Sequence, residues 1–210
     1  MSHAPEHDVD PPRRKRVARP GPAPIIAAAL DAFYRVGYGA ATVRDIAAGA
    51  NVTVAAVYHH FDSKQDMLVN IMSRAMRDNL EAVRAQRERH DGDPRRQLRH
   101  MVGAIVEYHT GHQAEAFVGG SELRSLEEPG RSLIVTLRDE EEAEFRAVMD
   151  HGIAAGVFAV ENPVLATRAI LAMASAVASW YRSGGSLTLG QLQAAYGDMA
   201  LRLADASPEE

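Results

Sequence analysis

Residues 42–64 read TVRDIAAGANVTVAAVYHHFDSK, and their punctuation decides the fold. Thr42 can cap a short helix over 43–48, and Thr53 a second over 54–60. Between them Gly49-Ala50-Asn51 supplies Gly and Asn, the residue types that most readily take a left-handed backbone. Two short helices about a tight turn match a helix-turn-helix in size and spacing. In this register Ile46 and Val52 face inwards with Val57 and Phe61, leaving Val54, Ala55, Tyr58 and His59 on the outer face. A recognition helix enters the major groove with its first residues against base edges. Small Val54 and Ala55 permit that approach and offer methyls to thymine. Tyr58, His59, Lys64, Thr42 and Thr53 suit phosphate oxygens, contacts that position a protein without reading sequence. Arg44 can reach a phosphate or a guanine edge. Spacing alone also fits an ordinary helix pair within a helical protein.

Upstream, after Pro24, the apolar residues Ile25, Ile26, Ala29, Leu30, Phe33 and Val36 recur at three- and four-residue spacing, one face of a helix ending near Gly37. Downstream, Asp62 and Ser63 offer caps for a long helix whose apolar positions run from Met67 to Val83 and which ends at about Arg89. Asp91-Gly92-Asp93-Pro94 is a break, and helical patterns follow at about 95–110, 113–126, 131–155, 163–182 and 188–205. Strand-like alternation is scarce and there is no internal repeat. The expected fold is all-α, with about nine helices. An N-terminal three-helix helix-turn-helix domain spans 23–66, and a larger helical ligand-binding and dimerisation domain spans 67–206. Residues 1–22 hold five of the ten prolines and no helical period, and read as a disordered basic arm.

A chain of 210 residues, 46% hydrophobic, is long enough for a sizeable core. It has no cysteine, which excludes disulfide frameworks, thiolate zinc sites and cysteine nucleophiles. No uncharged run reaches the roughly 18 residues of a membrane span, and the first twenty residues contain no apolar stretch. The default expectation is a soluble, cytoplasmic protein with no membrane partner. The net charge of −5 hides a split: residues 11–64 balance at +5 and residues 65–210 at −7. A basic front on an acidic body points to a polyanion as the partner of the front, although five of the front's eight cations (Arg13, Arg14, Lys15, Arg16 and Arg19) sit in the arm.

The longer stretch 25–68, IIAAALDAFYRVGYGAATVRDIAAGANVTVAAVYHHFDSKQDML, resembles the N-terminal domain of the tetracycline-repressor (TetR) family. The likeness is carried by Gly37-Tyr38, by Thr42-Val43-Arg44-Asp45-Ile46-Ala47, and by Val57-Tyr58-His59-His60-Phe61 followed by Ser63-Lys64. Asn51 departs from the pattern, standing where the family usually carries Gly. The resemblance implies a homodimeric repressor on a palindromic double-stranded DNA operator, released when a small ligand binds the C-terminal domain. It places the dimer contact in an intersubunit four-helix bundle, here the helices near 163–182 and 188–205. The charge-free run Ala169–Tyr181 suits a helix buried on more than one side, and Leu189, Leu192, Tyr196, Met199 and Leu203 make a narrow seam. An intrachain core fits the same pattern. The arm either follows the minor groove or adds non-specific affinity.

In the C-terminal part, SELRSLEEPGR (121–131), LRDEEEAEF (137–145), GIAAGVF (152–158) and SWYRSGG (179–185) look like the branch of the family that responds to acyl-CoAs in fatty-acid and sterol-ring catabolism. A small hydrophobic effector of that kind needs an apolar tunnel with cations near its mouth. Candidate tunnel residues are Met72, Met76, Ile105, Tyr108, Phe117, Phe145, Met149, Met173 and Trp180, each equally at home in an ordinary core. Flexible methionines suit varied chains. Arg124, Arg138 and Arg182 are candidate phosphate or carboxylate partners. Two alternatives stay open: a drug-like effector, and a helical lipid- or acyl-CoA-binding protein without specific DNA binding. Asp139, Glu140, Glu141, Glu142 and Glu144 point around a helix and read as a solvated face. His100, His109 and His112 have no cysteine or suitably spaced carboxylate beside them to complete a metal site. Ser121 and Ser125 carry no nucleophile motif, and no phosphate-cradling glycine loop is present. No enzymatic activity, cofactor or metal is expected.

Overall fold

A computed structural model describes residues 21–207; of the arm expected over 1–22, residues 1–20 lie outside them, and Pro22 already opens the first helix. Among the described residues there are nine α-helices and no strand: α1 (Pro22–Ala40), α2 (Val43–Gly49), α3 (Val54–His60), α4 (Lys64–Arg89), α5 (Pro94–Gly111), α6 (Gln113–Ser121), α7 (Gly130–Ala154), α8 (Pro163–Ser175) and α9 (Leu189–Leu203).

The head is built from short-range signals. Helix α1 kinks at Gly37, whose φ of 78° only glycine takes without strain. Thr42 caps α2 in a reciprocal box with Asp45, and Thr53 caps α3 by accepting the Ala56 N–H. The α2–α3 turn closes with Val52 N–H donating to the Ala47 carbonyl at 2.9 Å and Asn51 N–H to that of Ala48 at 3.1 Å. This is the paired bonding of a Schellman end, with Asn51 at φ 53° in the left-handed position. Asn therefore fills the place expected of glycine.

Two predicted helices stop early. The pattern at 113–126 is α6 followed by a 3-10 turn, Leu123–Ser125, and that at 163–182 is α8 followed by a 3-10 turn, Ala176–Ser179. Beyond α8 the Gln113 side-chain amide donates to the carbonyls of Ala178 at 3.1 Å and Tyr181 at 2.8 Å. Those acceptors are thereby satisfied without another helical turn.

Helix α4 is 26 residues long, about 39 Å at 1.5 Å per residue, and contributes to both apolar cores. Its Met67, Leu68 and Met72 join Ile25, Phe33, Ile46 and Val57 of the head and Val118, Ile134 and Leu137 of α6 and α7. Its Val83 joins the second core, centred on Leu98, Met101 and Ile105 of α5. Each such fully buried aliphatic or aromatic side chain contributes about 1.5–3 kcal/mol. The seam on α9 is spent inside the chain: Leu192, Tyr196 and Ala200 pack into the α5 core. At Gly197 a Cβ would come within 2.6 Å of Arg99 Cγ, so glycine sets the close approach of α9 to α5. Leu189 and Met199 pack against the same core, whereas Leu203, the last residue of the seam, is exposed. Among the described residues, no helix is long and apolar enough to cross a membrane.

Candidate nucleic-acid interface and body cavity

The outer face of α3 carries Val54, Ala55, Tyr58 and His59, all exposed, and Arg44 is exposed on α2. All five are open to solvent on the two helices of the helix-turn-helix. Three other predicted contacts are engaged in the fold. The Thr42 hydroxyl accepts the Asp45 N–H at 3.2 Å and donates its proton to Asp45 Oδ2 at 2.6 Å. The bond from Thr42 holds the Asp45 carboxyl below its usual range. Thr53 uses its oxygen to cap α3. Lys64 Nζ donates to the carbonyls of Tyr38 at 2.6 Å and Ala41 at 2.8 Å and lies 4.2 Å from the centre of the Tyr38 ring. Lys64 thus ties the start of α4 to the end of α1, where it was expected to face phosphate. The pull of unpaired carbonyls at a helix end accounts for the difference.

The body contains a cavity of about 530 Å³ between α4, α5, α6, α7 and α8. Met72, Asn79 and Ile134 form a buried floor, while Arg168, Ala172, Ser175 and Ala176 lie exposed at its mouth. Of the residues predicted for a tunnel, Met72, Met76 and Tyr108 line it, as does Arg138, expected as a phosphate or carboxylate partner. Ile105, Phe145 and Met149 are fully buried in the α5 core instead, and Met173 packs against that core. Phe117 is exposed and meets Tyr34 of α1 edge-on, 5.2 Å between centroids. Trp180 is 48% exposed, because α8 ends before reaching it. Arg124 and Arg182 are exposed outside the lining. Helical periodicity marks which side of a helix is buried, and does not distinguish packing from a void.

The cavity also holds polar residues that the sequence reading passed over. The acidic run on α7 is not a plain solvated face. Glu144 pairs with Arg84 at 2.6 Å and with Arg87, Glu140 with Arg84 at 3.1 Å, and Glu142 with Arg168 at 3.1 Å. Glu141 turns inwards and accepts a hydrogen bond from Asn79 Nδ2 at 2.5 Å. Burial pushes its carboxyl up to about 7, against the opposing pull of Arg138. Burial also raises the Tyr108 phenol to about 12 and lowers the His109 imidazole, whose Nδ1 lies 2.9 Å from the Ile105 carbonyl. Helical register carried the missing signal. Glu141 continues the buried stripe Ile134, Leu137, Phe145 and Val148 of α7, and Asn79 the stripe Met72, Met76 and Val83 of α4. Among the described residues no cluster of three or more His, Asp or Glu side chains could hold a metal ion.

Helix α6 lies between cavity and head. Its Gly119 carbonyl accepts from Arg138 Nη2 at 2.8 Å on the cavity side. On the other side Phe117 packs on Tyr34, and Glu122 Oε1 accepts the Tyr38 N–H at 3.2 Å. Gln65 of α4 donates to the Ser125 carbonyl and accepts the Glu127 N–H at 3.3 Å.

A helix-turn-helix head joined by one long helix to a hollow helical body defines a class of ligand-responsive DNA-binding regulators. Residues 25–71 match the model for bacterial regulatory proteins of the tetR family, and residues 91–204 match the tetracyclin repressor-like C-terminal domain. The chain belongs to the TetR family and is a DNA-binding transcriptional repressor, not an enzyme. The transcriptional repressor KstR2 of Mycobacterium tuberculosis is 31% identical over 173 residues, covering 81% of this chain and 85% of KstR2. The solved structure of KstR2, described as a ketosteroid transcriptional regulator, is similar with a TM-score of 0.79 and 26% identity, over 93% of this chain and 98% of that one. A tetR-family regulatory protein from Rhodococcus RHA1 has a TM-score of 0.82 at 31% identity, covering 89% of this chain and 97% of its own. AibR, solved with isovaleryl coenzyme A and operator DNA, shares the fold: TM-score 0.76 at 23% identity, over 87% and 97% of the two chains.

Proposed function

We propose that this protein is a homodimeric repressor of an inverted-repeat operator, released when a hydrophobic effector, an acyl-CoA of lipid or sterol breakdown, enters the body cavity. The observation that carries this reading is the position of α6, which touches the cavity through Gly119 and the head through Phe117 and Glu122. A ligand that displaces α6 or α4 moves the head, and it shifts the operator-binding state only by its differential affinity for the two arrangements. Val54, Ala55, Tyr58, His59 and Arg44 are the DNA contacts in this reading, with Thr53 offering its hydroxyl proton to phosphate. Met72, Met76, Tyr108 and Arg138 are the effector contacts.

Two features support a thioester. A second groove of about 610 Å³ runs between the start of α1 and α4–α5, and shares Ala75, Tyr108 and Glu115 with the cavity. It offers room for the part of a coenzyme A that the acyl cavity does not hold, with Arg74 on its wall. KstR2 is described as a ketosteroid transcriptional regulator, and AibR, which has the same fold, was solved with isovaleryl coenzyme A. For the dimer, the faces of α8 and α9 turned away from the α5 core remain uncovered within one chain. Leu165 is 64% exposed and Leu203 is 41% exposed, and the small residues Ala169 and Ala194 are exposed on the same two helices. A symmetric pairing there sets the separation of the two α3 helices and hence the half-site spacing. Selection of duplexes from random DNA, repeated with acyl-CoAs of increasing length, tests the whole reading. Enrichment of a palindrome that is lost with acyl-CoA supports it. Enrichment without a two-fold pattern, or release by no thioester, overturns the dimer or the effector assignment respectively.

A further inference from the structure

The polar residues of the cavity fall into two groups. At the mouth the Arg168–Glu142 pair is open to solvent. On the floor, Asn79 and Glu141 face each other from α4 and α7 among Met72, Met76 and Ile134. Asn79 is only 3% exposed, its amide nitrogen is bonded to Glu141, and its Oδ1 has no hydrogen-bond partner among the described residues. More than about nine in ten buried polar groups are paired. An unpaired amide oxygen in a cavity-lining residue, beside a carboxyl, is a place for a ligand's donor. Resting on the reading of this cavity as the effector site, we propose that Asn79 and Glu141 form a hydroxyl-recognition site, so that the effector carries a hydroxyl on the part of its apolar skeleton that reaches the floor.

A hydroxyl is the group that matches both partners, because it donates one hydrogen bond and accepts others. It gives its proton to the Asn79 oxygen and accepts from the protonated Glu141 carboxyl. If the Asn79 amide is turned the other way, the orphaned group is an N–H, and the same hydroxyl accepts from it. A ketone only accepts and leaves the Asn79 oxygen unpaired. A plain hydrocarbon leaves both floor groups without a ligand partner and cuts them off from water. An ammonium needs an ionised carboxylate, yet Glu141 keeps its proton to about pH 7 through burial, and the nearby charge is already the positive one of Arg138.

The test uses the full-length protein at pH 6.5 and titrates saturated acyl-CoAs of six to fourteen carbons against their ω-hydroxy counterparts, read by calorimetry. At the chain length that places the hydroxyl on the floor, the hydroxylated member binds about tenfold more tightly, the size of one well-made hydrogen bond. Glu141→Leu reduces that preference to within about twofold, whereas Glu141→Gln, which still donates and accepts, keeps most of it. Asn79→Leu behaves like Glu141→Leu, and either variant gives the answer if the other fails to fold. Plain acyl-CoAs that bind as well as or better than their hydroxylated partners at every length overturn the hydroxyl site while leaving the effector cavity standing. A preference that survives Glu141→Leu or Asn79→Leu overturns the assignment to this pair. If neither series binds at all, the acyl-CoA reading itself fails and the proposal falls with it.

Discussion

The carboxylate of Glu122, at the end of α6, accepts the backbone N–H of Tyr38 at 3.2 Å, one residue beyond the Gly37 kink of α1. The same carboxylate accepts the Ser125 hydroxyl at 2.7 Å. A single side chain therefore joins the helix that walls the cavity to the first helix of the DNA-binding head.

Replacing Glu122 by Ala should leave operator affinity without effector within about threefold of the parent. It should reduce the loss of affinity caused by effector by about fivefold or more, within the usual range of coupling between sites. Fluorescence anisotropy on an operator duplex, with and without saturating effector, checks this. Unchanged release would show that the Glu122 bond is not what carries the signal.

Lys64→Ala removes two charge-assisted bonds to carbonyls of Tyr38 and Ala41. A cost of about 2 kcal/mol is expected, or roughly 4–8 °C in Tm for a chain of this size. Arg44→Ala, at an exposed position, should leave Tm nearly unchanged while weakening DNA binding. Thermal unfolding of the two variants side by side separates a residue that secures the head from one that faces DNA.

At Asn51, with φ at 53°, substitution by Gly should be neutral or slightly stabilising. Substitution by Ala should cost about 1 kcal/mol, since a Cβ crowds the carbonyl in the left-handed region. Chemical denaturation measures both.

Stability should also fall as pH rises through the window set by Glu141. Its carboxyl lies near 4.5 in the unfolded chain and near 7 in the fold. Between those values the folded state holds a proton that the unfolded state has lost, so this residue's contribution declines with pH across that interval. Glu141→Gln should flatten that part of the profile and raise Tm at pH 8 relative to the parent. An unaltered slope in the variant would place the titration elsewhere.

The head could be read from sequence because its determinants are local. Thr42 and Asp45 are three residues apart, and Asn51 and Val52 close a turn by donating to carbonyls three and five residues before them respectively. The internal bonds of Lys64 were not legible because its partners lie 23 and 26 residues away, and a surface lysine near a recognition helix looks the same from sequence whichever way it points. In the body, Met72 lines the void and Met149 does not, although both occupy buried helical positions. Burial follows from the period of one helix, but a cavity follows from how five helices fail to fill the space between them. Glu141 sat within legible information: its register on α7 was inward, and the charge of its neighbours obscured it.

The head's apolar core includes Val118, Leu126, Ile134 and Leu137 from the body. This has a consequence for engineering. A chain cut after residue 66 would bare the apolar side of α1 and lose half the residues of the core around Phe33, Met67 and Leu68 among them. Fusing this head to a foreign sensor therefore requires transplanting the matching surface of α6 and α7 as well, and chimeras joined at the sequence boundary alone should express as aggregates. Specificity for DNA and specificity for the small molecule are inherited together, through a shared interior that neither can leave behind.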